Sequence, residues 1–156
     1  MTKKNSSELG VGVIGYGYWG PNLVRNFMGD TGTRVVSVCD RSTDRLTEVK
    51  RLYPSVEATT DPKDLFKNAD IDAIAIATPV ATHFDLAREA LRAGKHVLVE
   101  KPAARNAAEL APVAAEARRA FDRAGVVVKV GFNHRFHPAV VRARELIATR
   151  RYGRRP

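Results

Sequence analysis

Apolar positions in this chain switch between two rhythms, one of buried strands and one of amphipathic helices, almost from end to end. Val11, Val13 and Ile14 begin it as a strand, and past a glycine-rich turn Leu23, Val24, Phe27 and Met28 recur at helical spacing. Arg34 to Cys39 reads as a second strand. Ser42 caps a helix over Asp44 to Leu52, which Pro54 stops. Val56 to Thr59 is a short third strand, and Asp61-Pro62 supplies the cap and first residue of a brief helix through Lys67. Asp72 to Thr78 is nearly all apolar, as a central parallel strand covered on both faces must be. Thr78-Pro79 breaks it, and the next helix presents Phe84, Ala87, Ala90 and Leu91 on one face before Gly94 ends it. His96 to Val99 is a fifth strand, Ala107 to Ala124 a long helix, Val126 to Gly131 a sixth strand, and Pro138 to Thr149 a final helix.

The first strand runs straight into Gly15-Tyr16-Gly17-Tyr18-Trp19-Gly20 and then into helix. In such a unit the first glycine permits the tight turn, the second lets backbone approach a pyrophosphate, and the third brings helix close to strand. Free N–H groups at the helix start then face the anion. With six strands alternating with helices, this predicts an α/β fold: a Rossmann-type, doubly wound, mainly parallel six-stranded sheet with right-handed crossovers. Asp40 stands at the end of the second strand, twenty residues beyond Gly20, where an acid can accept hydrogen bonds from an adenosine ribose and repel a 2′-phosphate. That points to NAD. Arg41 keeps NADP open, because a guanidinium beside the ribose tolerates a phosphate.

The chain has 156 residues, 44% hydrophobic and 28% charged, which suits one soluble domain and is short for a dinucleotide enzyme carrying a substrate domain as well. No apolar run approaches the roughly 20 residues that cross a bilayer. Residues 1–8 are polar, with no signal core, and read as a flexible lead. A cytoplasmic protein with no membrane partner is expected, and the lone Cys39, inside a strand, reads as a small buried hydrophobe. The net charge of +9 is uneven: residues 103–156 hold eleven Arg and one Lys against four acids. The terminal RRYGRRP has one aromatic, Tyr152, too few for a stacking platform, so a solvated terminus is favoured over nucleic-acid binding.

Lys101 follows the fifth strand, at the edge where open α/β sheets bind ligands. A lysine there can bind a sugar hydroxyl or assist its proton transfer; alternatively it is a surface lysine paired with Glu100. His83, in the first turn after Thr78-Pro79, either reaches a cofactor or substrate or is a partly exposed helix residue. His134 and His137 invite a metal reading, but no Cys or acidic cluster accompanies them, and a loop-structural role is preferred.

Together, the glycine turn, Asp40, Ala77-Thr78-Pro79 with His83, and Glu100-Lys101-Pro102 resemble the N-terminal half of the glucose-fructose oxidoreductase, inositol dehydrogenase and MocA (Gfo/Idh/MocA) family. The resemblance covers roughly residues 9–150. It implies that Gly15, Gly17, Tyr18, Trp19 and Gly20 form the pyrophosphate turn, with Asp40 and Arg41 at the ribose. Thr78, Pro79 and His83 would line the cofactor groove, and Glu100 and Lys101 would lie near the nicotinamide and the sugar. Lys101 would be the shared catalytic lysine, and Pro102 a candidate cis-proline. Asn133 and Arg135 match the crossing toward a second domain. The stretch YGYWGPNLVRN is also similar to members acting on nucleotide-linked amino sugars. Residues 9–136 are therefore expected to form the NAD(P)-binding domain, and residues 137–156 a linker helix and basic tail toward an absent substrate domain.

The implied function is the cofactor half of a sugar or polyol oxidoreductase, inactive or weakly active alone, with a sugar or nucleotide-sugar substrate once a second domain completes it. The alternative is a noncatalytic module that senses NAD or docks a partner, another copy included, through its basic C-terminal third. Apolar residues of the final helix, Val140, Val141, Leu146 and Ile147, would then lie open. A methyltransferase, which can share the glycine turn and the acid, is disfavoured by the Thr78-Pro79 turn with His83 and by Glu100-Lys101-Pro102.

Overall fold

The computed structural model describes residues 8–149. Twelve regular elements alternate: β1 (Leu9–Ile14), α1 (Gly20–Gly29), β2 (Thr33–Cys39), α2 (Thr43–Leu52), β3 (Glu57–Thr59), α3 (Pro62–Lys67), β4 (Ala73–Ile76), α4 (His83–Arg92), β5 (His96–Val99), α5 (Ala107–Ala124), β6 (Val128–Val130) and α6 (Pro138–Ala148). Two short 3-10 turns, Val80–Thr82 and Asn133–Phe136, are additions that the apolar rhythm does not announce. Local chemistry sets the helix starts. The Ser42, Asp61 and Asn106 side chains each accept a backbone N–H of the first turn, so three helices begin where an Asx or Ser cap permits.

The six strands are all parallel, in the order β3-β2-β1-β4-β5-β6. Because successive side chains of a strand face opposite ways, each face of the sheet has its own core. Val11 and Val13 of β1, Val35 and Val38 of β2 and Ala75 of β4 pack with Val24 of α1 and with Leu46 and Val49 of α2. Ile74 and Ile76 of β4 and Val97 and Val99 of β5 pack on the other face with Leu65, Phe66, Ala87, Leu91, Val113 and Ala120 of α3, α4 and α5. Burying one Val, Leu or Ile in this way is worth about 1.5–3 kcal/mol, so the pattern that alternates along the strands also fixes which helices go to which side.

This order creates one topological switch. From β1 the chain crosses to β2 and β3 on one side, then returns past β1 to β4 and continues outward to β6. In such sheets the crevice for a ligand opens at the carboxyl ends of the two strands flanking the switch, here β1 and β4. Beyond β6 the packing thins. The last helix, α6, has no buried residue, and Val140, Val141 and Ile147 are exposed on it, while Leu146 is half-buried. Of the flexible lead expected at residues 1–8 and the linker helix and basic tail expected at 137–156, residues 1–7 and 150–156 lie outside the described residues.

Candidate functional site

The loop after β1 is built by glycine for two different reasons. At Gly15 φ is +99°, a conformation L side chains rarely adopt, and a Cβ there would crowd the Ala77 backbone. At Gly20 a Cβ would fall well inside contact distance of the Gly15 carbonyl oxygen, so the start of α1 can approach β1 only without one. Gly17 is unlike either. Its φ lies outside the left-handed range, and the nearest atom to a Cβ there would be Arg45 Nη1, at 3.7 Å. Neither strain nor packing among the described residues asks for glycine at 17, and the space in front of it is open. That is the fit expected for a pyrophosphate seated on this turn. Tyr18 and Trp19 fill the tip, both exposed, with their rings edge to face at 5.4 Å between centroids.

Asp40 ends β2 and is buried. Its carboxylate accepts the Tyr16 backbone N–H at 2.6 Å and the Ser42 N–H at 2.9 Å, tying the glycine turn to the end of the second strand. Burial works to raise its pKa, but the N–H groups of Ser42 and Tyr16 and the Arg45 guanidinium outweigh it and hold the carboxyl below its ordinary range. The guanidinium at this carboxylate belongs to Arg45, whose Nη1 lies 3.4 Å from Oδ2 and 3.5 Å from Oδ1. Arg41, the arginine singled out by sequence, is exposed and makes no bond to Asp40. Arg41 falls in the link before the Ser42 cap, while Arg45 sits in the first turn of α2 and reaches back. Next to Asp40, Cys39 is buried, and desolvation followed by the Asp40 charge pushes its thiol up to about 12, so it is inert packing.

On the β4 side, Gly15 accepts no Cβ because Ala77 and Thr78 close against it. Thr78 is half-buried and Pro79 exposed, and the Thr82 hydroxyl donates to Thr78 Oγ1 at 2.8 Å, stiffening that turn. His83 departs from the reading as a partly exposed helix residue. It is only 2% exposed, with Nδ1 2.9 Å from the Pro102 carbonyl oxygen and Nε2 2.7 Å from that of Thr78. Both ring nitrogens sit within hydrogen-bond distance of backbone carbonyl oxygens. The side chain fastens the turn after β4 to the turn after β5.

That second turn carries Glu100 and Lys101, with a cis peptide bond between Lys101 and Pro102. The Glu100 carboxylate accepts the Lys101 backbone N–H at 3.2 Å and closes against Gly131, at the end of the neighbouring β6. It is not paired with the lysine ammonium. Lys101 is exposed and its Nζ has no partner among the described residues, so it is available at the sheet edge. His137, the second of the two late histidines, accepts the Ala139 N–H through Nδ1 and caps α6.

The turn, the acid and the two strand-end turns thus meet on one edge of the sheet, around one switch. Residues 9–132 match the family described as an oxidoreductase family with an NAD-binding Rossmann fold, Gfo/Idh/MocA. The chain belongs to that family. Among curated Gfo/Idh/MocA relatives, it is 35% identical over 145 residues to inositol 2-dehydrogenase 2 of Paenarthrobacter aurescens, covering 92% of this chain and 43% of that one. It is 33% identical to the NAD(+)-dependent scyllo-inositol 2-dehydrogenase of Bacillus subtilis, covering 89% and 38%. Among solved structures, GenD2 of gentamicin A biosynthesis in complex with NAD superposes with a TM-score of 0.84 at 31% identity, over 92% of this chain and 40% of that one. The chain therefore spans less than half the length of these relatives, and it is the NAD-binding Rossmann domain that they share. Among its described residues no helix is long and apolar enough to cross a membrane.

Proposed function

We propose that the chain holds NAD with its pyrophosphate on the Gly15 to Gly20 turn and its adenosine ribose at Asp40. The nicotinamide end would lie toward Thr78, Pro79, Glu100 and Lys101, in the service of a sugar or polyol oxidoreductase. The observation that carries this is Gly17, a glycine that the protein's own packing does not require, placed between two glycines that it does. Bound nicotinamide supplies hydride transfer, to or from a carbon bearing a hydroxyl. The protein's part is to orient it and to handle the hydroxyl proton: in this proposal the neutral Lys101 amine accepts that proton when the substrate is oxidised, and the Lys101 ammonium returns it in the reverse direction. Arg41 is left as a bystander in this reading.

The polyols named for its relatives are inositols, which makes inositols the first substrates to try. The remaining substrate contacts belong, in this proposal, to a further domain reached through residues 137–156, and without it turnover is weak or nil. Isothermal calorimetry of the folded chain with NAD is the test. One saturable site supports the proposal, and no heat from a folded sample contradicts it. Brisk oxidation of inositol by the 156-residue monomer would contradict the separate claim that substrate contacts lie elsewhere.

A second reading, a noncatalytic docking module, draws on Phe132, Phe136, Val141 and Ile147, which are 50%, 76%, 40% and 51% exposed in the C-terminal part. Light scattering at rising concentration separates the two: a monomer throughout argues against a surface that another copy covers. We place the protein in the cytoplasm, where a lone thiol such as Cys39 stays reduced.

A further inference from the structure

We propose that Arg45 sets the preference of this site between NAD and NADP. The proposal rests on reading the glycine turn as the pyrophosphate seat and Asp40 as the ribose acid. From the first turn of α2 the Arg45 side chain returns over the end of β2, where Nη1 is 3.4 and 3.5 Å from the two Asp40 oxygens. The same nitrogen is 3.7 Å from the place a Cβ would take on Gly17. The guanidinium therefore stands between the turn that faces phosphate and the carboxylate that faces ribose, which is where a 2′-phosphate would arrive.

Three features make it a selectivity group and not a structural one. First, both contacts to Asp40 are long for a charge-assisted bond and come from one nitrogen, while Nε and Nη2 bond no described residue. Donors remain for an anion. Second, the Tyr16 and Ser42 N–H groups already fix both oxygens of Asp40, so the acid keeps its place if Arg45 is removed. Third, the Arg45 side chain is 52% exposed, so nothing in the core depends on it. Asp40 alone would turn a 2′-phosphate away; with Arg45 beside it the charge is offset and a forked donor is offered. Arg41, next to Asp40 in sequence, makes no such contact and carries no part of the effect.

The test is calorimetric titration of the full chain with NAD and, separately, NADP, for the wild type, Arg45→Ala, Arg45→Lys and Arg41→Ala. The wild type should take both nucleotides. Arg45→Ala should weaken NADP by about tenfold or more, the size of one lost hydrogen bond to a charged group, and leave NAD within about threefold. Arg45→Lys should retain part of the NADP affinity, and Arg41→Ala should leave the ratio of the two unchanged. Equal weakening of both nucleotides by Arg45→Ala, an unmoved ratio, the same effect from Arg41→Ala, or a wild type that takes NAD and excludes NADP would each overturn the role of Arg45. A folded wild type that binds neither nucleotide would overturn the reading of the glycine turn itself, and this proposal with it.

Discussion

The two ends of the switch-point crevice are built to different standards. At the Asp40 end the carboxylate is buried and fixed by two backbone N–H groups, and the glycine turn it holds is closed by packing at Gly15 and Gly20. At the Lys101 end the backbone is held just as firmly, from behind by His83 and from the side by Glu100 against Gly131, but the lysine ammonium itself bonds no described residue. The difference separates binding from chemistry. A nucleotide seat needs fixed donors and a fixed shape, which one βαβ unit can supply. A proton-handling group needs a substrate and further partners to set its position. In the proposed reading the first end is a complete seat, and the second offers one group on a firm mount.

The largest loss is expected from spoiling the Asp40 end. Gly20→Ala drives a methyl into the Gly15 carbonyl oxygen, and because backbone must move, a loss of about 3 kcal/mol or more is expected, read as a lower urea midpoint or an unfolded circular-dichroism spectrum. Next comes the mount at the other end. His83→Phe keeps a buried ring but strands the Thr78 and Pro102 carbonyls, and should cost about 2–3 kcal/mol in denaturant titration. A change under about 0.5 kcal/mol would mean that the clasp contributes little.

The Asp40 end should also show in the pH dependence of stability. A carboxyl held below its ordinary range stabilises the fold above the unfolded-state value of about 4, and that contribution is lost only as pH falls through the lower folded value. The wild type minus Asp40→Asn difference in melting temperature should therefore be flat from neutral pH down to about 5 and shrink below about 4. A difference that vanishes near pH 6 would contradict it. Smallest of all is Lys101→Ala, which removes a side chain that bonds no described residue and should change stability by less than about 0.5 kcal/mol. A larger loss would mean that the lysine end is structurally finished too.

Most of the fold was legible in the chain because its signals are local: strand rhythm, Ser42 and Asp61 as caps, and Gly94 and Pro54 as stops. The backbone of the site followed from the same signals, since Gly15, Asp40, Thr78 and Lys101 each stand at a strand end. What could not be read depended on contacts between distant segments. The burial of His83 is settled by Pro102, nineteen residues on and across a strand. The chain points first to Arg41, beside Asp40 in sequence, while the contact is made by Arg45; its trace in the sequence is that, once Ser42 caps α2, Arg45 is the basic residue of the first turn nearest the end of β2. The Val80–Thr82 turn leaves no mark in the apolar pattern, because three residues are too few for a period to show.

In the proposed reading, Gly17 is a glycine for the sake of a dinucleotide. Gly17→Val, followed by thermal melting and by calorimetry with NAD, tests it directly. A branched side chain at a position with nothing closer than 3.7 Å should leave the melting temperature within a few degrees of the wild type while weakening NAD at least about tenfold. A variant that binds NAD as well as the wild type, or that unfolds as Gly20→Ala does, would contradict it.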